Sequence, residues 1–462
     1  MKIFYSLISV LLSLFLAGCQ EQSKVQMPQS RPLASDYKVF EAPPEPIMEP
    51  NENFIIDEPN DTLTLKDAAA LTLLHNPVLK SYSWEIRAAE ARQLQAGLWP
   101  NPTLDIGVEN IISGFGLAET TIQLVQIIEL GNKANKRKQA ASIDQQLSGW
   151  DYETKRLEVF TNAGKSYFEL LALQEKIEIL SELVKISEAS YESVAKRADA
   201  GKDSPIEKTK ASIALSMVRL EYKEALQDAE NAKKTMVSFW GSEEPKFKHA
   251  AGDLGAVSDV PEISVLKEKI AQSPQVARWE NQIARGKAAL ELEKAKVLPD
   301  ISLGGGGTNY NETGDTAFLF GISIPLPIFN RNQGGKLEAE YNISKSYELQ
   351  KAARIEVMNQ FNRIYTDLSI SSDKIKEYRT SILPGAREVF NASQTAYVEG
   401  KIDYLNVLDA QRTYFLAQTG YIETLVSYHK AKTDIEGLVG ESIESITAAN
   451  NLKEDKNENE SL

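Results

Sequence analysis

The strongest constraint on this chain is that it is written twice. Asn76-Pro77 is matched by Ser273-Pro274, and Pro102, Leu104, Ile106 and Gly107 are matched by Pro299, Ile301, Leu303 and Gly304, all at an offset of 197 residues. Further on, Gly201-Lys202 stands over Gly400-Lys401, Ala211 over Ala410, Leu226 over Leu425, Ala232-Lys233 over Ala431-Lys432 and Gly241 over Gly440, at an offset of 199. A period this long with so steady an offset predicts two equivalent structural repeats, residues 62–249 and 250–440. The two-residue change is absorbed most simply in loops near 111–119 and 309–316, where insertions cost little.

Each half reads helix, strand, loop, strand, long helix, tight turn, helix. Leu104, Ile106 and Val108 alternate with Asp105, Gly107 and Glu109, the period of a strand with one apolar face. Ile122 and Leu124 mark the return strand; Ile301 and Leu303 open the third; Phe318, Phe320, Ile322 and Ile324 mark the fourth. Soluble hairpins carry the same alternation, so the strands alone do not decide their surroundings. The helices add the decisive context. From Lys133 to Ala200 there is no proline, and Leu173, Ile177, Leu180, Val184, Ser187, Tyr191 and Val194 recur in alternating steps of four and three, a coiled-coil stripe. At 1.5 Å per residue such a helix reaches roughly 100 Å. Its counterpart carries Ile364, Leu368, Ile375, Tyr378 and Ile382, and then Pro384, where a kink or break is expected. Gly201 and Gly400 end the long helices, and Ser204-Pro205 and Asp403 start the returning ones.

Length alone, at 462 residues, would allow several domains, but the repeat overrides that reading. A net charge of −14 removes the attraction to phosphate that nucleic-acid binding needs, so no nucleic-acid partner is expected. After residue 18 no apolar run is long enough to cross a bilayer as a helix, so a membrane span would have to be a β-barrel. Residues 1–18, with Lys2 and an apolar run from Ile3 to Phe15, have the order of a signal peptide. Leu16-Ala17-Gly18-Cys19 resembles a bacterial lipobox, which implies acylation of Cys19. Gln20 fits sorting of the anchored chain to the outer-membrane lipid. Residues 19–61, rich in proline, read as an extended, solvated tether, and 441–462 as a disordered acidic tail.

Four strands per chain cannot close a barrel, and open strand edges are not tolerated in hydrocarbon. Three copies give twelve strands and, by cyclic symmetry, a matching cylinder of helices. The expected fold is therefore mainly α with a small β part: long helical hairpins forming a trimeric α-barrel, plus a 12-stranded β-barrel with four strands per protomer.

The segment from Leu383-Pro384 through Tyr397, Gly400, Leu408, Asp409, Ala410, Gln411 and Arg412 is similar to the second hairpin of TolC-family outer-membrane factors, and the likeness covers residues 62–440. Trp99-Pro100-Asn101-Pro102, Glu109-Asn110, the run from Gln126 to Lys133 and the run from Ile324 to Gly334 resemble the CzcC-type heavy-metal branch. One departure is Asn132, where that branch commonly has a second glycine. The resemblance implies a homotrimer in the outer membrane of a Gram-negative bacterium, spanning into the periplasm. There it would meet a periplasmic adaptor and an inner-membrane RND transporter and act as a passive exit duct for metal cations. The same duct serving a drug or organic-solvent pump, and a solid coiled-coil lipoprotein stalk, are the alternatives.

Within that picture Gly201, Lys202, Gly400 and Lys401 are the candidate adaptor-contacting tips, although helix termination alone explains both glycines. Asp409 matches a position where some family members place an aspartate ring at the pore entrance, and Asn406 stands where another can occur. A solvated helix carboxylate explains Asp409 equally well. Gly304 to Gly307 lacks the lysine and the following helix of a P-loop and belongs to a strand. The histidines, His75, His249 and His429, are far apart, and Cys19 is the single cysteine, so no metal site, cofactor or catalytic constellation is expected. Lys133, Lys136, Arg137 and Lys138 follow the second strand directly, either at a membrane boundary or on an ordinary solvated helix face.

Overall fold

A computed structural model describes residues 25–46, 48, 56–111, 117–202 and 204–450. The leader 1–18 and Cys19 lie outside the described residues. In chain order the elements are β1 (Thr62–Thr64), α1 (Leu65–His75), α2 (Pro77–Ala96), β2 (Thr103–Glu109), β3 (Glu119–Ile128), α3 (Lys133–Asp199), α4 (Pro205–Ser238), β4 (His249–Ala251), α5 (Ile263–Ile270), α6 (Pro274–Ala295), β5 (Ile301–Tyr310), β6 (Thr316–Ser323), α7 (Gln333–Glu377), α8 (Leu383–Val398) and α9 (Tyr404–Val439). A short π turn, Tyr378–Ile382, links α7 to α8, and 443–450 is a further helix, α10.

Two compact units emerge, and neither is a repeat. Among the described residues, one draws on 25–28, 85–149 and 279–348, and the other on 29–84, 150–278 and 349–450. Each unit takes corresponding pieces from both repeats, so the repeats are interleaved.

The first unit holds an antiparallel sheet in the order β2-β3-β5-β6. Its register lines up one apolar face across all four strands: Leu104 pairs with Leu124, Leu124 with Gly305, and Gly305 with Phe320. The next row runs Ile106, Ile122, Gly307 and Phe318. Both phenylalanines sit beside a glycine of β5, where a large ring makes up for the missing side chain. Thr121, Thr308, Asp105 and Gln123 point to the opposite face, where the two threonine hydroxyls meet at 2.9 Å. Leu104, Ile106, Ile122, Phe318, Phe320 and Ile322 are all exposed in the single chain, and β2 and β6 are edge strands with no further partner in the sheet.

The second unit is helical, and its main apolar core includes Leu63, Tyr167, Leu170, Trp240, Phe361, Leu425 and Ile435. The parallel pair β1–β4 is set into it, with Leu63 opposite Ala250. Tyr167 donates its hydroxyl to Leu63 O at 2.9 Å, and the Gln174 side chain brackets Ala250 through its N–H and carbonyl at 2.7 and 2.9 Å. A repeat boundary drawn between 249 and 250 therefore cuts β4. The stripe on α3 packs as expected, with Leu180, Ser187 and Val194 buried at heptad spacing.

Pro384 does not break its helix. The chain widens into the π turn, where the Leu383 N–H donates to Tyr378 O, and resumes with Pro384 in the first turn of α8. Proline has no N–H to give and its ring collides with a carbonyl one turn back, so a locally wider turn absorbs both problems.

Two expectations are corrected. The tail expected to be disordered from Glu441 is helical over 443–450, and Ile443 and Ile446 enter the core. Two of its acids are paired with lysines: Glu441 with Lys269 at 2.7 Å and Glu444 with Lys432. Two isoleucines three residues apart in an acidic run are too few to register as a period. The proline-rich tether is extended but not simply solvated. Leu33 and Ala42 are buried, the Leu33 N–H reaches Gly440 O at 2.8 Å, and the buried Arg156 donates to Leu33 O at 2.8 Å and Arg31 O at 3.2 Å. Glu153, paired with Arg156 at 2.7 Å, accepts the Arg31 N–H. Carbonyls that a proline-rich segment cannot satisfy by itself are thus met by a guanidinium.

Candidate functional site

The two hairpin tips are built alike. Lys202 N donates to Arg197 O at 2.8 Å and Lys401 N to Ala396 O at 2.9 Å, each spanning a glycine with φ of +74° and +75°. This is the Schellman closure, and the left-handed backbone at Gly201 and Gly400 is the reason for glycine. The return helices differ in detail: Ser204 accepts the Ile206 N–H with Pro205 at the first helical position, whereas Asp403 occupies the same place without a side-chain cap. All four residues Gly201, Lys202, Gly400 and Lys401 are exposed. Lys401 is paired with Glu399 at 2.6 Å.

The tips of the two repeats are fastened to each other. Val194 and Ala211 from the first hairpin share a small core with Tyr397, Tyr404 and Val407 from the second. The Arg197 guanidinium lies 4.9 Å from the Tyr397 ring centre, and Tyr397 lies 5.6 Å from Tyr404. One turn further, Gln411 donates to Ser187 Oγ at 2.8 Å. Tyr404, Val407, Ala410 and Gln411 are buried, which leaves Leu405, Asn406, Asp409 and Leu416 on the exposed side of α9. Asn406 and Asp409, three residues apart, share one face of the helix.

The basic residues after β3 are engaged at the foot of the sheet. Lys133, only 7% exposed, donates to Asp300 Oδ1 at 2.7 Å, and Asp300 also takes the Leu130 N–H. Arg137 grips both oxygens of Glu129 at 2.6 and 2.8 Å and reaches the Ala96 and Leu98 carbonyls. Lys136 meets Glu291. Asn132 holds the backbone at φ +59°, a conformation asparagine tolerates, which accounts for its standing where a glycine is usual.

Among the described residues no group of three or more His, Cys, Asp or Glu side chains could hold a metal ion. His429 is buried, stacked on Phe168 at 4.3 Å and bonded to Leu254 O, and burial pushes its pKa down. His249 is bonded to Thr62 Oγ1 at 2.9 Å. Gly304 to Gly307 form the middle of β5.

The sequence did not single out Arg197 and Tyr397 as the fastening between tips, nor a second apolar stripe on α4. Ile206, Ile213, Met217 and Leu220 are exposed along one face, in steps of seven, four and three. Two of them have repeat counterparts that are also exposed, Leu405 for Ile206 and Leu416 for Met217. That repeat-matched pair was the available signal.

The family profile described as "Outer membrane efflux protein" matches residues 69–242 and 265–441, one match per repeat. The cobalt-zinc-cadmium resistance protein CzcC of Cupriavidus metallidurans is 30% identical over 378 residues, covering 82% of this chain and 90% of that protein. The pyoverdine export outer membrane protein OpmQ of Pseudomonas putida is 24% identical over 283 residues, 58% of each chain. Among solved structures, CusC, studied for folding and transmembrane channel formation, superposes with a TM-score of 0.70 at 16% identity, covering 92% of this chain and 99% of that one.

Proposed function

Because the chain belongs to the outer membrane efflux protein family, we propose that it is the outer-membrane duct of a tripartite RND-type efflux system, passing metal cations passively from periplasm to exterior. The observation that carries this is the four-stranded sheet with two open edges and one uncovered apolar face. An open sheet cannot stand in hydrocarbon, and three copies edge to edge make a closed barrel of twelve strands. The hairpins, carried by the same symmetry, form a helical tube. Transport is driven by the inner-membrane transporter, and this chain performs no catalysis. Cys19 carries the lipid. Gly201, Lys202, Gly400 and Lys401 meet the periplasmic adaptor, and three copies of Asp409, with Asn406 beside them, form an acidic ring that attracts cations.

Metal cargo is favoured by the 30% identity to a cobalt-zinc-cadmium resistance protein across most of both chains. The weaker likeness to a pyoverdine exporter supports a second reading in which the same duct serves an organic cargo. Deleting the gene and comparing growth in zinc, cobalt, cadmium, copper or silver with growth in drugs separates the two. Sensitivity to metals is the expected result, and sensitivity to drugs alone overturns the metal reading. Planar-bilayer recording of purified protein tests the duct itself: stepwise single-channel currents are expected, and a persistent absence of current would indicate a solid stalk.

A further inference from the structure

The connector that leaves β6 differs in kind from the one that leaves β3. After β3 the chain turns into α3 through residues tied down by ion pairs, Glu129 to Arg137 and Lys133 to Asp300. After β6, the connector Ile324, Pro325, Leu326, Pro327, Ile328, Phe329 is apolar and bare. Leu326 is 76% exposed, Ile328 60% and Phe329 89%.

The apolar face of β6 does not stop where the strand does. Phe318, Phe320, Ile322, Ile324, Leu326 and Ile328 fall on successive even positions, so the strand's apolar sequence pattern runs on past Ser323 into an exposed connector. The apolar residues within β6 itself, Phe318 to Ile322, cover only about 10 Å of depth when a strand rising 3.3 Å per residue is tilted about 40°. The connector adds further apolar side chains beyond that end of the strand, toward the band of roughly 25 Å that a membrane barrel presents to lipid. Pro325 and Pro327 occupy the odd positions and carry no N–H to leave unsatisfied. The Ile328 N–H donates to Leu326 O at 2.8 Å, and the Arg331 and Asn332 N–H groups are taken by Gln333 and Asn330 side chains. The connector therefore presents apolar side chains, and its two prolines and the internally bonded Ile328 N–H reduce the number of backbone donors left for water.

The same end of the sheet, where β2 and β5 enter, also exposes Leu98, Trp99 and Leu298. An exposed Arg331 follows two residues after Phe329. Aromatic and aliphatic side chains next to a guanidinium match the boundary between acyl chains and phosphate headgroups.

We infer that the connector Ile324–Phe329 is a lipid-interface anchor, which seats Leu326, Ile328 and Phe329 among the acyl chains and headgroups of the membrane leaflet nearest the helical part of the protein. This rests on the reading of the sheet as a membrane barrel, and the test separates the two. Full-length protein carrying Phe329→Cys, Phe320→Cys or Glu348→Cys is nitroxide-labelled and reconstituted in phospholipid vesicles, with the unsubstituted protein as the labelling background. Collision of the label with oxygen, which concentrates in lipid, is compared with collision with a water-soluble nickel chelate. At Phe329 the oxygen-to-nickel ratio should exceed that at Glu348 several-fold and fall below that at Phe320. A nickel-dominated Phe329 would place the connector in water, and a Phe329 shielded from both reagents would place it under a neighbouring copy. Either result overturns the anchor while a lipid-exposed Phe320 preserves the barrel; a Phe320 in water sinks both. Should Phe329→Cys fail to assemble, Leu326→Cys gives the same reading.

Discussion

Lys133 Nζ lies 2.7 Å from Asp300 Oδ1, and this ion pair ties the first residue of α3 to the residue that introduces β5. It joins the two repeats at the foot of the sheet, across 167 residues of chain. The lysine is nearly buried while the aspartate keeps some solvent, and the same Oδ1 also accepts the Leu130 N–H at 3.1 Å.

Removing that carboxylate strands a buried ammonium. Asp300→Ala should destabilise the folded protein by about 2–4 kcal/mol. Asp300→Glu should recover part of the loss. Midpoints of heat-induced loss of the folded form, compared among the three proteins, check this.

Adjacent glycines of β5 should respond in opposite ways. A Cβ at Gly306 would stand 2.1 Å from Ile122 O, a backbone atom that cannot step aside, whereas one at Gly305 would meet only the Phe320 ring at 3.6 Å. Gly306→Ala should therefore cost on the order of 2 kcal/mol and lower the yield of folded protein. Gly305→Ala should leave yield and heat resistance near those of the unsubstituted chain.

Glu436 gives the docking of α10 a pH dependence. Burial, the largest influence, pushes its carboxyl up from 4.5 to about 7, while it accepts the Ile443 N–H at 2.9 Å with Lys432 and Glu444 beside it. Between those two pH values the folded form holds a proton that the released form has given up. The contribution of Glu436 to stability is therefore full below 4.5, falls as pH rises through that window, and levels off above about 7. The loss is on the order of 3 kcal/mol. Amide hydrogen exchange over 443–450, corrected for intrinsic rates, should show faster opening at pH 8 than at pH 5. Glu436→Gln should hold the helix down at both.

Asp409 is placed for a narrow passage only if three copies converge on it. Asp409→Ala should raise single-channel conductance or lessen its inhibition by multivalent cations. Unchanged current in both respects would leave Asp409 an ordinary solvated carboxylate.

Much of the architecture was legible because it depends on spacing. The stripe from Leu173 to Val194 gave the long helix, which runs from Lys133 to Asp199, and the glycines at 201 and 400 gave its ends and its turns. Alternation at Leu104, Ile106, Phe318, Phe320 and Ile322 gave the strands and their apolar face. What was missed is what spacing does not encode. Ile443 and Ile446 look like strays in an acidic tail until a core is present to receive them, and Leu33 looks solvated until Arg156 reaches its carbonyl. Pro384 reads as a kink or a break, and a π turn that carries the chain on leaves no mark in composition.

The sequence by itself determined the duplication, the element types and the tip turns, because periodicity and left-handed glycines are local properties of the chain. Only the tertiary structure decided which residues of one repeat would meet those of the other. Lys133 and Asp300, Arg197 and Tyr397, and Ile122 and Gly307 face each other because the two halves interleave. Contacts between residues far apart in the chain depend on register and on backbone approach, and neither is written in the residues one at a time.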